Sequence, residues 1–163
     1  MIIGIDPGNT GAIAFLNDNL NFIDAVDMPL MANGKKQQVN AAALAKILEC
    51  CDTADSFVYL EKVSAMPGQG VASMFNFGMG FGVIKGVLAA RGFSYELVTP
   101  QSWKKNAGLI GKEKDNARTL AQQLYPEASL ARKKDIGRAD AILIARHGKN
   151  VRVDFKYHED RIG

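Results

Sequence analysis

The apolar positions of the chain fall in short blocks divided by turn-forming residues. Met1, Ile2, Ile3 and Ile5 make a β-branched run that stops at Asp6, and Pro7-Gly8-Asn9-Thr10-Gly11 follows as turn chemistry. Ala12 to Leu16 is apolar again, so the pattern predicts strands over residues 2–6 and 11–16 in a hairpin, then a third over 21–27. A polar segment from Met31 to Gln38 turns at Asn33-Gly34, and Asn40 is placed to cap an Ala- and Leu-rich helix ending near Cys51.

Ser56-Phe57-Val58-Tyr59-Leu60 reads as a fourth strand, and it too ends on an acid, Glu61. The loop AMPGQG leads into a long helix over about residues 71–91 that stops at Gly92. Its glycines, Gly78, Gly80, Gly82 and Gly86, suggest close packing of helix on sheet, with Phe75 and Phe77 as core residues. Ser94 to Val98 is a fifth strand, and helices are expected over 101–107, 113–124 and 138–147. The order is an α/β layer with a hairpin start, one domain over residues 1–150 and a short tail over 151–163.

Composition narrows the class. The chain has 163 residues, 47% hydrophobic and 23% charged, which suits one globular domain with a real core. No continuous apolar run approaches the ~18 residues of a membrane span, and no membrane partner is expected. The first strand starts at residue 2 with no basic segment before it, so no signal peptide is expected either. Cys50 and Cys51 are adjacent, which is neither a disulfide framework nor metal-ligand spacing, and points to a reducing, cytoplasmic setting. The net charge of +3 is unevenly spread. Residues 1–100 hold 6 Lys and Arg against 9 Asp and Glu, whereas residues 101–163 hold 14 against 8. Such a basic C-terminal portion fits a polyanion-binding face.

The chemistry lies in the acids. A carboxylate at the end of a buried strand is unfavourable unless something positive meets it, and Asp6 and Glu61 both stand in that position. In open α/β sheets, ligand sites gather at the carboxyl ends of strands. Two further acids occur in KKDIGRADAILIARHG, where Asp140 opens an apolar helix and Asp135 stands five positions earlier. Either alone could be a helix cap. Together, four carboxylates from distant segments suit Mg²⁺ or Mn²⁺, and a pair of such ions supports phosphodiester cleavage. For Asp135 to join Asp140, the last helix must start at about residue 137 or 138, with Gly137 bending the chain and Asp135 within ~4–8 Å of Asp6 and Asp140.

GIDPG on the first strand, the acid ending VYLEKV and the late helix RADAILIA resemble the RuvC-like Holliday junction resolvases of the ribonuclease H-like superfamily. The resemblance spans residues 1 to about 148. It implies a mixed five-stranded sheet flanked by helices, its first three strands an antiparallel meander. It also implies two divalent metals (Mg²⁺ or Mn²⁺), a homodimer, and paired nicking of four-way or other branched DNA. Asp6, Glu61 and Asp140 fall on three of the family's four acids; either Asp135 is the fourth metal ligand, as expected here, or the site uses fewer acids. Pro100-Gln101-Ser102-Trp103-Lys104 and Glu113-Lys114 resemble the stretches that carry functional lysines, so Lys104 and Lys114 are expected beside the scissile phosphate, with Lys105 and Lys112 on the DNA. The compact length resembles a phage-type member.

Two departures stand out. The family's acid or histidine three residues before the last Asp is Gly137 here, and its aromatic three residues after the second acid is Ser64. Met66, Phe75 or Phe77 would then have to contact the bases. Trp103 has two readings, core packing or stacking on a base or sugar. His147 and His158 have no spacing that suggests zinc or a nucleophile's base. IDPGNTG also resembles the first phosphate loop of actin-like ATPases and sugar kinases, which clamp nucleotide between two domains. A non-catalytic branched-DNA-binding module of the same fold is the third reading.

Overall fold

The computed structural model describes residues 1–65 and 68–159, with 152–159 described by backbone alone. β1 (Ile2–Asp6) is the centre of a five-stranded sheet. It runs antiparallel to β2 (Ala12–Leu16) and, in turn, β2 runs antiparallel to β3 (Phe22–Asp27). On its other side β1 is parallel to β6 (Phe57–Glu61), which is parallel to β7 (Ser94–Val98). A separate hairpin, β4 (Leu30–Asn33) and β5 (Lys36–Val39), turns at Gly34 with φ +61°. The sequence shows only the turn there, because most residues of the two strands are exposed and lack alternation.

Helices cover both faces. α1 (Ala41–Ile47) is capped by Asn40, whose Oδ1 accepts the Ala43 N–H at 3.1 Å. With α2 (Val71–Arg91) it covers the face carrying Ile3, Ile5, Val58 and Leu60. α3 (Pro100–Asn106), α4 (Asp115–Leu124) and α5 (Ile136–Glu159) lie on the face carrying Ile2, Ala12, Ala14 and Tyr59.

Three expectations change. α5 extends to Glu159, well past the apolar stretch that marked it in the sequence. In α2 only Gly80 packs closely, 3.3 Å from Val39; a side chain at Gly78, Gly82 or Gly86 would meet open space. Phe75 is 70% exposed and so is not a core residue. By length and composition α2 is also apolar enough to cross a membrane, although Ser73, Asn76 and Lys85 interrupt its apolar run. In this fold it packs on the sheet through Ile84 and Leu88.

Candidate active site at the ends of β1 and β6

Strand alternation directs the first two acids. Ile2 and Gly4 point to the α5 side, and Asp6 continues that series; Phe57 and Tyr59 do the same for Glu61. Ile5 pairs with Leu60, so Asp6 and Glu61 end neighbouring parallel strands on one face. The third acid comes from α5. A side chain at Gly4 would collide with the Ala141 carbonyl and Ala145, and one at Gly137 with the Thr10 carbonyl. These two glycines let α5 settle against β1 and the turn after it, which brings Asp140 to the same place. Gly137 therefore acts by close approach; it lies inside α5 and does not bend the chain.

Asp6, Glu61 and Asp140 line one cleft of about 590 Å³, together with Lys104, Lys112, Lys114, Lys133 and Lys134. A second cavity of about 370 Å³, around Met1, Ser56, Tyr59 and Lys149, contains no such set of acids. Burial, reinforced by the charge of Glu61, pushes the Asp6 carboxyl up to about 6. The Gly8 N–H, Lys104 and Lys114 partly oppose this. Asp140 is pushed up to about 7 by burial and then by the charges of Asp6 and Glu61, with the same two lysines opposing. Glu61 is raised by burial and held down by a hydrogen bond from Trp103 and by Lys104. Among the described residues, no three of His, Cys, Asp and Glu stand close enough to grip an ion as they are. The three acids instead face one space and disfavour each other's charge.

The fit to a cation is tested by Asp140. Its Oδ1 is buried and has no hydrogen-bond partner among the described residues, which for an anionic oxygen is costly. Hard carboxylate oxygens are the donors that Mg²⁺ and Mn²⁺ prefer. The residues present fit a divalent ion.

Asp135 is elsewhere. Its carboxylate is buried, and Oδ2 accepts the Arg132 backbone N–H at 2.8 Å while Oδ1 accepts the Arg132 Nη2 at 2.8 Å. That guanidinium holds Asp135 below the usual carboxylate range. The expected fourth ligand thus serves as the N-terminal brace of a 3₁₀ turn, Lys133–Asp135, that leads straight into α5. α5 begins at Ile136, close to the expected start, but for this local reason.

The remaining expected residues divide. Lys104, Lys112 and Lys114 line the cleft; Lys105 is exposed and does not. Trp103 is 1% exposed, so it stacks on no base; its Nε1–H donates to Glu61 Oε1 at 2.8 Å, and the Lys104 Nζ stands 5.2 Å from its ring centre. Phe77 lines the cleft, and Met66 lies outside the described residues. His147 pairs with Asn106 at 2.9 Å, away from the acids, and its side chain is lowered in pKa by burial. Lys133 and Lys134 were not expected in the site; the basic run around Asp135 was the available signal. The turn of IDPGNTG closes on itself, Gly11 N–H to the Gly8 carbonyl and Gly8 N–H to Asp6 Oδ1, so these two amides already have partners within the chain.

No family model matches the chain. Over 90 residues, 53% of this chain, it is 37% identical to the chloroplastic Holliday junction resolvase MOC1 of Chlamydomonas reinhardtii. The match spans about 10% of that relative's length. Among solved structures, Thermus thermophilus RuvC is similar with a TM-score of 0.58 at 16% identity, over 94% of this chain and 97% of that one. T. thermophilus RuvC in complex with Holliday junction substrate gives a TM-score of 0.61 at 16% identity, over 93% and 94%. The fold is the ribonuclease H-like fold of RuvC, as the three motifs implied.

Proposed function

We propose that this chain is a metal-dependent endodeoxyribonuclease that cuts branched DNA, with the four-way junction as its substrate. The observation that carries the reading is the convergence of Asp6, Glu61 and Asp140, from three separate elements, on one lysine-lined cleft. The segmental likeness to a Holliday junction resolvase agrees with it. Asp6, Glu61 and Asp140 would hold Mg²⁺ or Mn²⁺, two ions at full occupancy. When bound, such ions neutralise phosphodiester charge and lower the pKa of water.

The chain's own groups do the rest. In the absence of a cation Asp6 holds its proton up to about pH 6 and Asp140 up to about pH 7, and both must be ionised to serve as ligands. Lys104 and Lys114 are the cations felt by both acids, so they are placed to offset charge at the phosphate that reacts. Lys112, Lys133 and Lys134 extend the positive lining along which the strand backbone would lie. Two symmetrical nicks need two such sites, so the working form is a homodimer. Val71, Phe75 and Met79, exposed at one-helical-turn intervals on α2, supply apolar surface for it.

A cleavage gel of four-way, three-way, flap and linear duplex DNA, with Mg²⁺ and with chelator, tests this reading. Mg²⁺-dependent paired nicks in the four-way junction are expected, lost in Asp140→Asn. Binding without cleavage by the wild type under all metals would leave the DNA-binding module, and ATP hydrolysis would return the nucleotide reading.

A further inference from the structure

Trp103 is the only tryptophan in the chain, and it is almost wholly buried beside the cleft without lining it. Its one donor, the indole N–H, does not go to a backbone carbonyl. It goes to Glu61 Oε1, at 2.8 Å. Its ring face meets the ammonium of the next residue, Lys104. One buried side chain therefore touches two groups of the site.

We infer that Trp103 is a positioning residue, which fixes the Glu61 carboxylate by its Oε1 so that the other oxygen faces the cleft for a divalent ion. The inference rests on the metal-dependent reading of this site. A glutamate at a strand end has three rotatable bonds, and ordering it is entropically unfavourable unless something holds it. The choice of holder matters. A lysine or arginine would hold the carboxylate by neutralising it, as Arg132 does with Asp135. The indole is uncharged and does not titrate, so it leaves Glu61 its full negative charge for a cation.

The frame behind the indole is built to keep it still. α3 starts at Thr99, whose Oγ1 accepts the Ser102 N–H at 3.2 Å, with Pro100 in the first turn. Asn106, near its end, pairs with His147 of α5, the helix that carries Asp140. The ring itself belongs to the cluster containing Tyr59, Leu130 and Ile142. α3 thus links the ligand from β6 to the ligand from α5 through a rigid ring. Partners of metal ligands that act this way change metal affinity by about tenfold to a hundredfold when removed.

Because there is one tryptophan, there is one indole N–H resonance, and it reports on this bond in the unmutated protein. In a ¹H–¹⁵N spectrum that resonance should lie downfield and exchange slowly. It should move upfield in Glu61→Ala and shift when Mg²⁺ is titrated into the wild type. Trp103→Phe keeps an aromatic ring in the core but removes the N–H donor together with part of the indole's volume, so its thermal melt is measured beside its metal affinity. Calorimetric Mg²⁺ affinity without DNA should then fall by about tenfold or more. Junction affinity in chelator should stay within about twofold, because no phosphate contact is removed. A folded Trp103→Phe protein with wild-type Mg²⁺ affinity would overturn the inference. So would an indole resonance unmoved by Glu61→Ala or by saturating Mg²⁺, and these two readings decide the matter if the variant does not fold. A wild-type protein that binds no Mg²⁺, Mn²⁺ or other divalent ion would remove the metal reading itself and the inference with it. The Glu61→Ala spectrum would still show separately whether the indole bond exists.

Discussion

Gly4 lies against the Ala141 carbonyl so closely that α5 reaches β1 backbone to backbone, and this contact sets Asp140 over the strand that ends in Asp6. The neighbours of Gly4 are a helix backbone and the Ala145 methyl, neither able to swing aside. Gly4→Ala should therefore destabilise the fold by about 3 kcal/mol, the upper part of the usual range for overpacking. Urea denaturation measures it. A loss under about 1 kcal/mol would mean that α5 can shift, and that Asp140 is less firmly placed than the contact implies.

The acids should oppose stability while they serve function. Asp6 and Asp140 have carboxyls pushed up to about 6 and about 7, against an ordinary value of 3.8. A raised folded-state value means that the folded protein holds protons that the unfolded chain has already released. The stability from these groups is complete below about pH 4 and is lost as pH climbs through 6 and 7. In chelator, the wild type should thus weaken between pH 4 and 7. Asp140→Asn should flatten that slope and gain on the order of 2 kcal/mol at pH 7.5, while cleavage falls by ~10³ or more. A variant both less stable and still active would remove Asp140 from the ligand set.

Asp135 should behave in the opposite sense. Its pairing with Arg132 lowers its carboxyl, so its contribution to stability is present at neutral pH and lost as acid protonates it. Asp135→Asn should cost about 1–2 kcal/mol, the range of a lost N-terminal cap, and leave Mg²⁺-dependent cleavage within a few-fold of wild type. Thermal melts beside a cleavage assay separate the two effects. A stable but inactive Asp135→Asn protein would restore it as a ligand.

Much of this site was legible because strand-end acids are anomalous. Nothing in a buried strand favours Asp6 or Glu61 locally, so their presence already pointed to a ligand. Asp135 is less legible, because an acid just ahead of a helix has a sufficient local use, and the sequence cannot say that Arg132 takes it. Lys133 and Lys134 line the cleft, but two lysines ahead of a helix carry no local pattern that separates a site lining from a solvated surface. Trp103 offered two readings, and both placed its importance in the ring; the bond that matters here is made by its one polar atom. The β4–β5 hairpin and the end of α5 were missed or cut short because neither has an apolar pattern to announce it.

The lysines separate catalytic placement from general attraction. Lys104 and Lys114 act on both raised acids, whereas Lys133 and Lys134 line the cleft where α5 begins and Lys105 stays outside it. Each lysine that contacts phosphate in the bound state adds roughly one unit to the slope of log affinity against log salt. A double Lys133→Ala, Lys134→Ala variant should therefore bind a four-way junction more weakly and flatten the slope by about two units, with turnover at saturating DNA little changed. Lys114→Ala should lower turnover more than affinity, because a charge placed at the reacting phosphate matters most as negative charge builds up there. Lys105→Ala should do neither. Junction titrations between about 50 and 200 mM salt, paired with single-turnover cleavage in Mg²⁺, resolve the three cases. If Lys105→Ala flattens the slope as much as the double variant does, the DNA does not follow this cleft, and the path must be sought across the outer face of α3.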